Sequence, residues 1–135
     1  MQRRAFRPKT LARSRGAWSH AVNVSGAKTL VFVAGQTALD ADSAMVGVND
    51  FAIQFDRVYE NLGVALRAAG ADYPALVSLR TFLARAQDVD DFVRLRDDLH
   101  RRLFPAGDYP PNTLVVVERL ALPEMLIEIE AVAAL

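Results

Sequence analysis

The closing quarter of the chain leaves the fewest folding options. Tyr109-Pro-Pro-Asn-Thr-Leu-Val-Val-Val-Glu-Arg-Leu120 is followed, after a short connection, by Leu126-Ile-Glu-Ile-Glu-Ala-Val-Ala-Ala-Leu135. The prolines hold the backbone extended as it enters a β-branched run, and the second run is apolar around two acids, so both segments read as strands. Strand side chains alternate between faces, which puts Glu128 and Glu130 on one side and Ile127, Ile129 and Ala131 on the other. Ionised groups are seldom buried without partners. An acidic face meeting water accounts for Glu130, and Glu128 is assigned to a cleft.

Earlier in the chain, residues 17–24 read as a first strand, and Ser25-Gly-Ala-Lys28 as a turn into Thr29-Leu-Val-Phe-Val-Ala34, giving a hairpin. Gly35-Gln36 ends the second strand, where a glycine suggests close backbone approach or an unusual dihedral. Residues 37–49 form a loop with one short extended piece around Met45 to Val48. Asn49 or Asp50 caps a helix whose apolar stripe is Phe51, Phe55, Val58, Leu62 and Leu66, and Gly70 closes it. Residues 75–84 make a third main strand, and Arg80 within it and Arg85 just after it suggest that part of it meets solvent or a partner. Asp88 caps a second helix, with Val89, Phe92, Leu95, Leu99 and Leu103 inward, that stops before Pro105.

The resulting order of strand, strand, helix, strand, helix, strand, strand predicts an α+β or mixed α/β domain with helices against a mixed sheet of five to six strands. Two helices cover one face only. Leu30 to Ala34 and Leu114 to Val117 are nevertheless apolar at consecutive positions, as in strands buried on both sides. No residues remain to cover the second face, so a further copy of the chain is expected there, with a small-molecule pocket where subunits meet.

Composition narrows the function classes. With 135 residues, 52% of them hydrophobic, and 16 basic residues against 16 acidic, one globular domain is expected. Cysteine is absent, which removes disulfides, thiol nucleophiles and zinc-thiolate sites. His20 and His100 are too far apart in sequence to suggest a metal site, and no metal is expected. The apolar runs are too short to span a bilayer. Arg3, Arg4, Arg7, Lys9, Arg13, Arg15 and Lys28 all precede the first acid, Asp40. Residues 1–15 are read as a solvated basic lead-in to a single domain over 16–135, since no secretory apolar core is present. With only Phe6 interleaved in this basic segment, the sequence argues against nucleic-acid binding.

In this order the motifs resemble those of the Rid family, the reactive intermediate deaminases also called the YjgF family. They are Trp18-Ser-His-Ala-Val22, Val31-Phe-Val-Ala-Gly-Gln36, Gln54, Glu60-Asn-Leu62, Leu66-x-x-Ala-Gly70, Asp88-Val-Asp-Asp-Phe92 and Ile127-Glu-Ile-Glu-Ala-Val-Ala133. The resemblance implies a chorismate-mutase-like α+β fold, two helices on one face of the sheet, a cytoplasmic homotrimer, and clefts at the subunit boundaries. It also implies hydrolysis of an enamine or imine to a carbonyl compound and ammonia, without a cofactor. On the same basis Glu128 is the catalytic group that orients water or moves protons, and main-chain groups around Ala34 and Gly35 hold the ligand. Trp18 stands where the family has tyrosine, Ala34 where it has serine, and Asn112 where it has the arginine that clamps a substrate carboxylate. Losing such a charged bond typically costs about 1.5–3 kcal/mol. Arg96 falls where active relatives carry asparagine; it either supplies the missing cation or is a solvated helix residue, the second being preferred.

Three readings follow, in this order. The first is a divergent imine hydrolase whose substrate lacks the usual carboxylate, with Asn112 binding a neutral group. The second is a non-catalytic ligand-binding trimer. The third is a ribonuclease, for which the sequence supplies neither a basic groove with stacking aromatics nor paired histidines.

Overall fold

A computed structural model describes all 135 residues. In chain order the elements are β1 (Gln2–Phe6), β2 (Ala21–Ser25), β3 (Leu30–Gln36), α1 (Phe51–Ala68), β4 (Leu76–Leu83), α2 (Val89–Leu103), β5 (Asn112–Val116) and β6 (Ile127–Ala134). Four strands form a mixed sheet in the order β3-β6-β4-β5, antiparallel except for the parallel β4/β5 pair. The two helices pack against it, which is the α+β arrangement expected.

Helix α1 begins where Asp50 accepts a hydrogen bond from the Ile53 amide at 3.0 Å, and it ends before Gly70, whose φ of 78° suits glycine. Its Phe55, Val58, Leu62 and Leu66 are buried against Ile127, Ile129, Ala131 and Ala133 of β6. Phe55 and Phe92 meet edge to face at 6.1 Å, joining the two helices to one core. Met45 bridges to Leu39, the short extended piece foreseen in the loop.

The start of the chain differs from the expected hairpin. β2 begins at Ala21, and its antiparallel partner is β1, from the basic leading residues, rather than β3. The two make a separate small sheet. Arg3 alternates inward, donates to the carbonyls of Leu76 and Asp108, and stacks over Phe104, so its long side chain fills an inward position that a hydrophobic pattern does not reveal.

Helix α2 differs in two respects. Asp88 makes no capping bond; both its oxygens are taken by Arg85, at 2.7 and 3.0 Å. Arg96, expected in solvent, is 4% exposed, and His100 is fully buried. The inward face of α2 is therefore partly polar.

Candidate functional site

Two side chains of α1 hold the backbone on either side of the site. Gln54 is fully buried; its Nε2 donates to the carbonyls of Gly47 and Glu124, and its Oε1 accepts from the Leu126 amide at 2.8 Å. Asn61 donates to the carbonyls of Thr37 and Leu39, both at 2.8 Å. Gln54 thereby sets the entry to β6, and Asn61 the exit from β3. Between them lies an irregularity: Val33 pairs with Ala131 but Gln36 with Ile129, so β3 carries an extra residue at Ala34-Gly35 opposite Glu130. Such a bulge re-aims side chains and commonly lies beside a site.

Here it makes room for Glu128. A side chain at position 35 would meet Glu128 Cδ at 2.7 Å and Cγ at 2.9 Å, so the glycine is required by close approach and not by an unusual dihedral. Glu128 is half-buried, and no ion pair within the chain includes it. Burial, reinforced by the negative charge of Glu130, pushes its carboxyl above the ordinary glutamate range. It therefore keeps its proton to higher pH than a solvated glutamate and is able both to give and to take one.

The face that carries Glu128 is the one turned away from the helices. Glu130 on this face pairs with Arg80 of β4, its cross-strand neighbour. A hollow of about 420 Å³ opens beside them, lined by Phe32, Ala34, Ser78, Arg80, Glu130 and Val132. Phe32 is 75% exposed and Leu30 56%, so an apolar sheet face lies open within the single chain.

Of the residues singled out from sequence, Ala34, Gly35 and Glu128 come together at the bulge. Asn112 lies elsewhere: it is in register with Leu79, which pairs with Ala131, so it projects to the helix side of the sheet, opposite to Glu128. There its Nδ2 donates to the Thr81 hydroxyl at 3.0 Å, and its Oδ1 is buried without a partner. Trp18 lies in the segment entering β2, edge-on to His20 at 4.8 Å. Arg96 is bound through Nε and Nη2 to Asp97 Oδ1, at 3.0 and 2.7 Å, and stacks over Phe92. It is neither solvated nor free to act as a cation for a ligand.

Around Arg96 lies a closed network. Asp97 also accepts the Ala17 amide at 2.9 Å, His100 Nδ1 meets the Ala17 carbonyl at 2.9 Å, and His100 Nε2 meets the Tyr59 hydroxyl at 3.0 Å. Burial, aided by Arg96, lowers the His100 pKa to about 4, so the imidazole is neutral, and burial raises the Tyr59 hydroxyl far above its usual range. Sequence reasoning passed over Arg80 and Glu130 as site residues. Their signal was the i, i+2 spacing of Glu128 and Glu130 together with a lone arginine in an apolar strand.

The model of the family described as Endoribonuclease L-PSP matches residues 9–135. Over 134 residues the chain is 32% identical to Protein DfrA of Myxococcus xanthus, covering 98% of this chain and 96% of that protein. The chain belongs to the Rid family. A further relative, the 2-iminobutanoate/2-iminopropanoate deaminase of Rattus norvegicus, is 33% identical over 119 residues, covering 87% of this Rid chain and 80% of the deaminase. The crystal structure of YyfB from Yersinia pestis, a Rid-family protein of unknown function, superposes with a TM-score of 0.85 at 34% identity and full coverage of both chains. No helix of this Rid chain is long and apolar enough to cross a membrane.

Proposed function

We propose that this Rid protein hydrolyses an imine or enamine to a carbonyl compound and ammonia, in clefts between the subunits of a homotrimer, with Glu128 as acid and base. The observation that carries the reading is the Glu128 carboxyl, pinned over Gly35, unpaired, and biased towards its protonated form on the open face of the sheet. The 2-iminobutanoate/2-iminopropanoate deaminases among its relatives support the reaction class. The exposed Leu30 and Phe32 support a covering copy of the chain on the outer face.

The chemistry requires only water as co-reactant. Glu128 protonates the imine nitrogen, and a water oxygen adds to the carbon while its proton passes to the carboxylate. That proton is then returned to the nitrogen, the C–N bond breaks as the hydroxyl proton of the addition product passes to the carboxylate, and ammonia leaves a carbonyl group behind with Glu128 protonated again. Proton transfer by a positioned group typically contributes about 10²–10⁴-fold. Ala34 and Trp18 shape the cleft in this proposal. Asn112 enters it only from a neighbouring subunit, because in its own chain it lies on the helix side.

The test is the decay of freshly generated imines, from amines and from amino acids, with and without protein. Wild type is expected to accelerate at least one class, and Glu128→Gln to lose at least about 100-fold of that acceleration. Unchanged decay of every imine, with small carbonyl compounds still bound, would establish the second reading, a non-catalytic ligand-binding trimer. That reading draws on the absence of an arginine at position 112.

A further inference from the structure

We infer that the Arg80–Glu130 pair sets the substrate class of this site, admitting imines whose carbon substituents are uncharged, such as those derived from simple amines, and turning away imines that bear a carboxylate. The inference rests on the hydrolase reading above and deepens it.

The charged groups on the outer face of the four-stranded sheet can be counted strand by strand. β3 offers Leu30, Phe32 and Ala34, with no charge; β6 offers Glu128 and Glu130; β4 offers Ser78, Arg80 and Phe82; β5 offers Thr113 and Val115. Two carboxyls thus face one guanidinium. That guanidinium is already engaged, because Arg80 and Glu130 are directly opposite in the register and form an ion pair at the edge of the hollow. Arg96, the other cation that sequence singled out, is held under the helices by Asp97.

A carboxylate entering this hollow would meet the negative field of Glu130 and would have to draw Arg80 away from it. Like-charge juxtaposition and the loss of a paired partner both act against such a ligand. A protonated iminium nitrogen carries the opposite sign and is favoured by the same two acids. The carbon substituents of an uncharged imine meet Phe32, Ala34 and Val132, an apolar lining. Discrimination therefore comes from a repulsive element, the second acid, and from the occupation of the one cation.

The pair is also easily altered, since both side chains are partly exposed and belong to no core network: Arg80 is 58% exposed and Glu130 39%. Glu130→Gln frees Arg80 and removes one negative charge. Arg80→Ser removes the cation and leaves both acids.

The experiment compares kcat/KM for an imine of a simple amine with that for the imine of the matching 2-amino acid, in wild type and both variants. In wild type the uncharged imine is expected to be preferred at least tenfold. Glu130→Gln is expected to move the ratio at least tenfold towards the carboxylate-bearing imine, and Arg80→Ser to move it the other way. Equal rates for both classes in wild type, or an unchanged ratio in Glu130→Gln, overturn the inference. If wild type turns over no imine at all, the hydrolase reading falls, and titration with butanone and with 2-oxobutanoate separates the two claims. Tighter butanone binding that reverses in Glu130→Gln upholds the pair as the selector, and equal or tighter 2-oxobutanoate binding in wild type overturns it.

Discussion

The outer face of the sheet and the seam between the two helices both gather acids and arginines, and the protein treats them in opposite ways. At the seam, Arg96, Asp97, His100, Tyr59 and the Ala17 backbone are bonded to one another and shut from water. On the outer face, Arg80 and Glu130 are paired but partly exposed beside a hollow, and Glu128 on the same face is left without a charged partner. Charge at the seam is used to fasten the Ala17 backbone to α2. On the face it is kept available. Under the proposed function, neither burial nor charge marks a functional group on its own; a titratable side chain whose hydrogen-bonding capacity is unspent is the better mark.

The contrast can be broken from the seam side first. Asp97→Ala leaves Arg96 buried without its partner and the Ala17 amide without an acceptor, and loss of one member of a buried pair typically costs about 3–5 kcal/mol. The expected result is a loss of that size in urea unfolding, with the ratio of imine classes turned over unaltered.

The next effect is in pH. His100 titrates at about 4 in the fold against 6.5 when unfolded, its imidazole facing Tyr59, the Ala17 carbonyl, Arg96 and Asp97. Between these values the unfolded chain binds the extra proton. Stability from this group is therefore complete above about pH 6.5 and declines as pH falls towards 4, by on the order of 3 kcal/mol. Chemical denaturation across that range should show the slope, and His100→Gln should flatten it.

On the face, Gly35→Ala places a methyl group where the Glu128 carboxyl lies, and is expected to lower imine hydrolysis at least tenfold by displacing the acid. Far-ultraviolet circular dichroism should stay that of wild type. The smallest effect is expected at Asn112. Asn112→Ala removes one bond to Thr81 and one unpartnered oxygen, contributions that offset each other, and a stability change within about 1 kcal/mol should be read from the unfolding midpoint.

Much of this contrast was legible in the sequence, and the rest was hidden for physical reasons. The stripe of Phe51, Phe55, Val58, Leu62 and Leu66 and the alternation of β6 each bury one face against a common core, so periodicity exposes them. Glu128 was visible because a carboxylate in an apolar strand is unusual. β1 was not, because its inward positions are Arg3 and Ala5, which carry no hydrophobic signal. Arg96 and His100 look like solvent residues because the contacts that enclose them are remote in sequence: His100 bonds Ala17 and Tyr59 of the other helix, and the Asp97 that holds Arg96 also accepts the Ala17 amide. Asn112 was placed beside Glu128 through its position in a motif, but the face it takes depends on the register of a parallel pair, and local sequence does not specify that register.

The most direct test of the account reads activity and stability together on two variants, one from each region. Glu128→Gln is predicted to lose at least about 100-fold of imine hydrolysis while unfolding near the wild-type denaturant concentration, and Asp97→Ala to unfold much earlier while the fraction still folded retains its turnover per site. The contradicting result is the reverse assignment: a Glu128→Gln protein that hydrolyses imines at the wild-type rate, or an Asp97→Ala protein as stable as wild type.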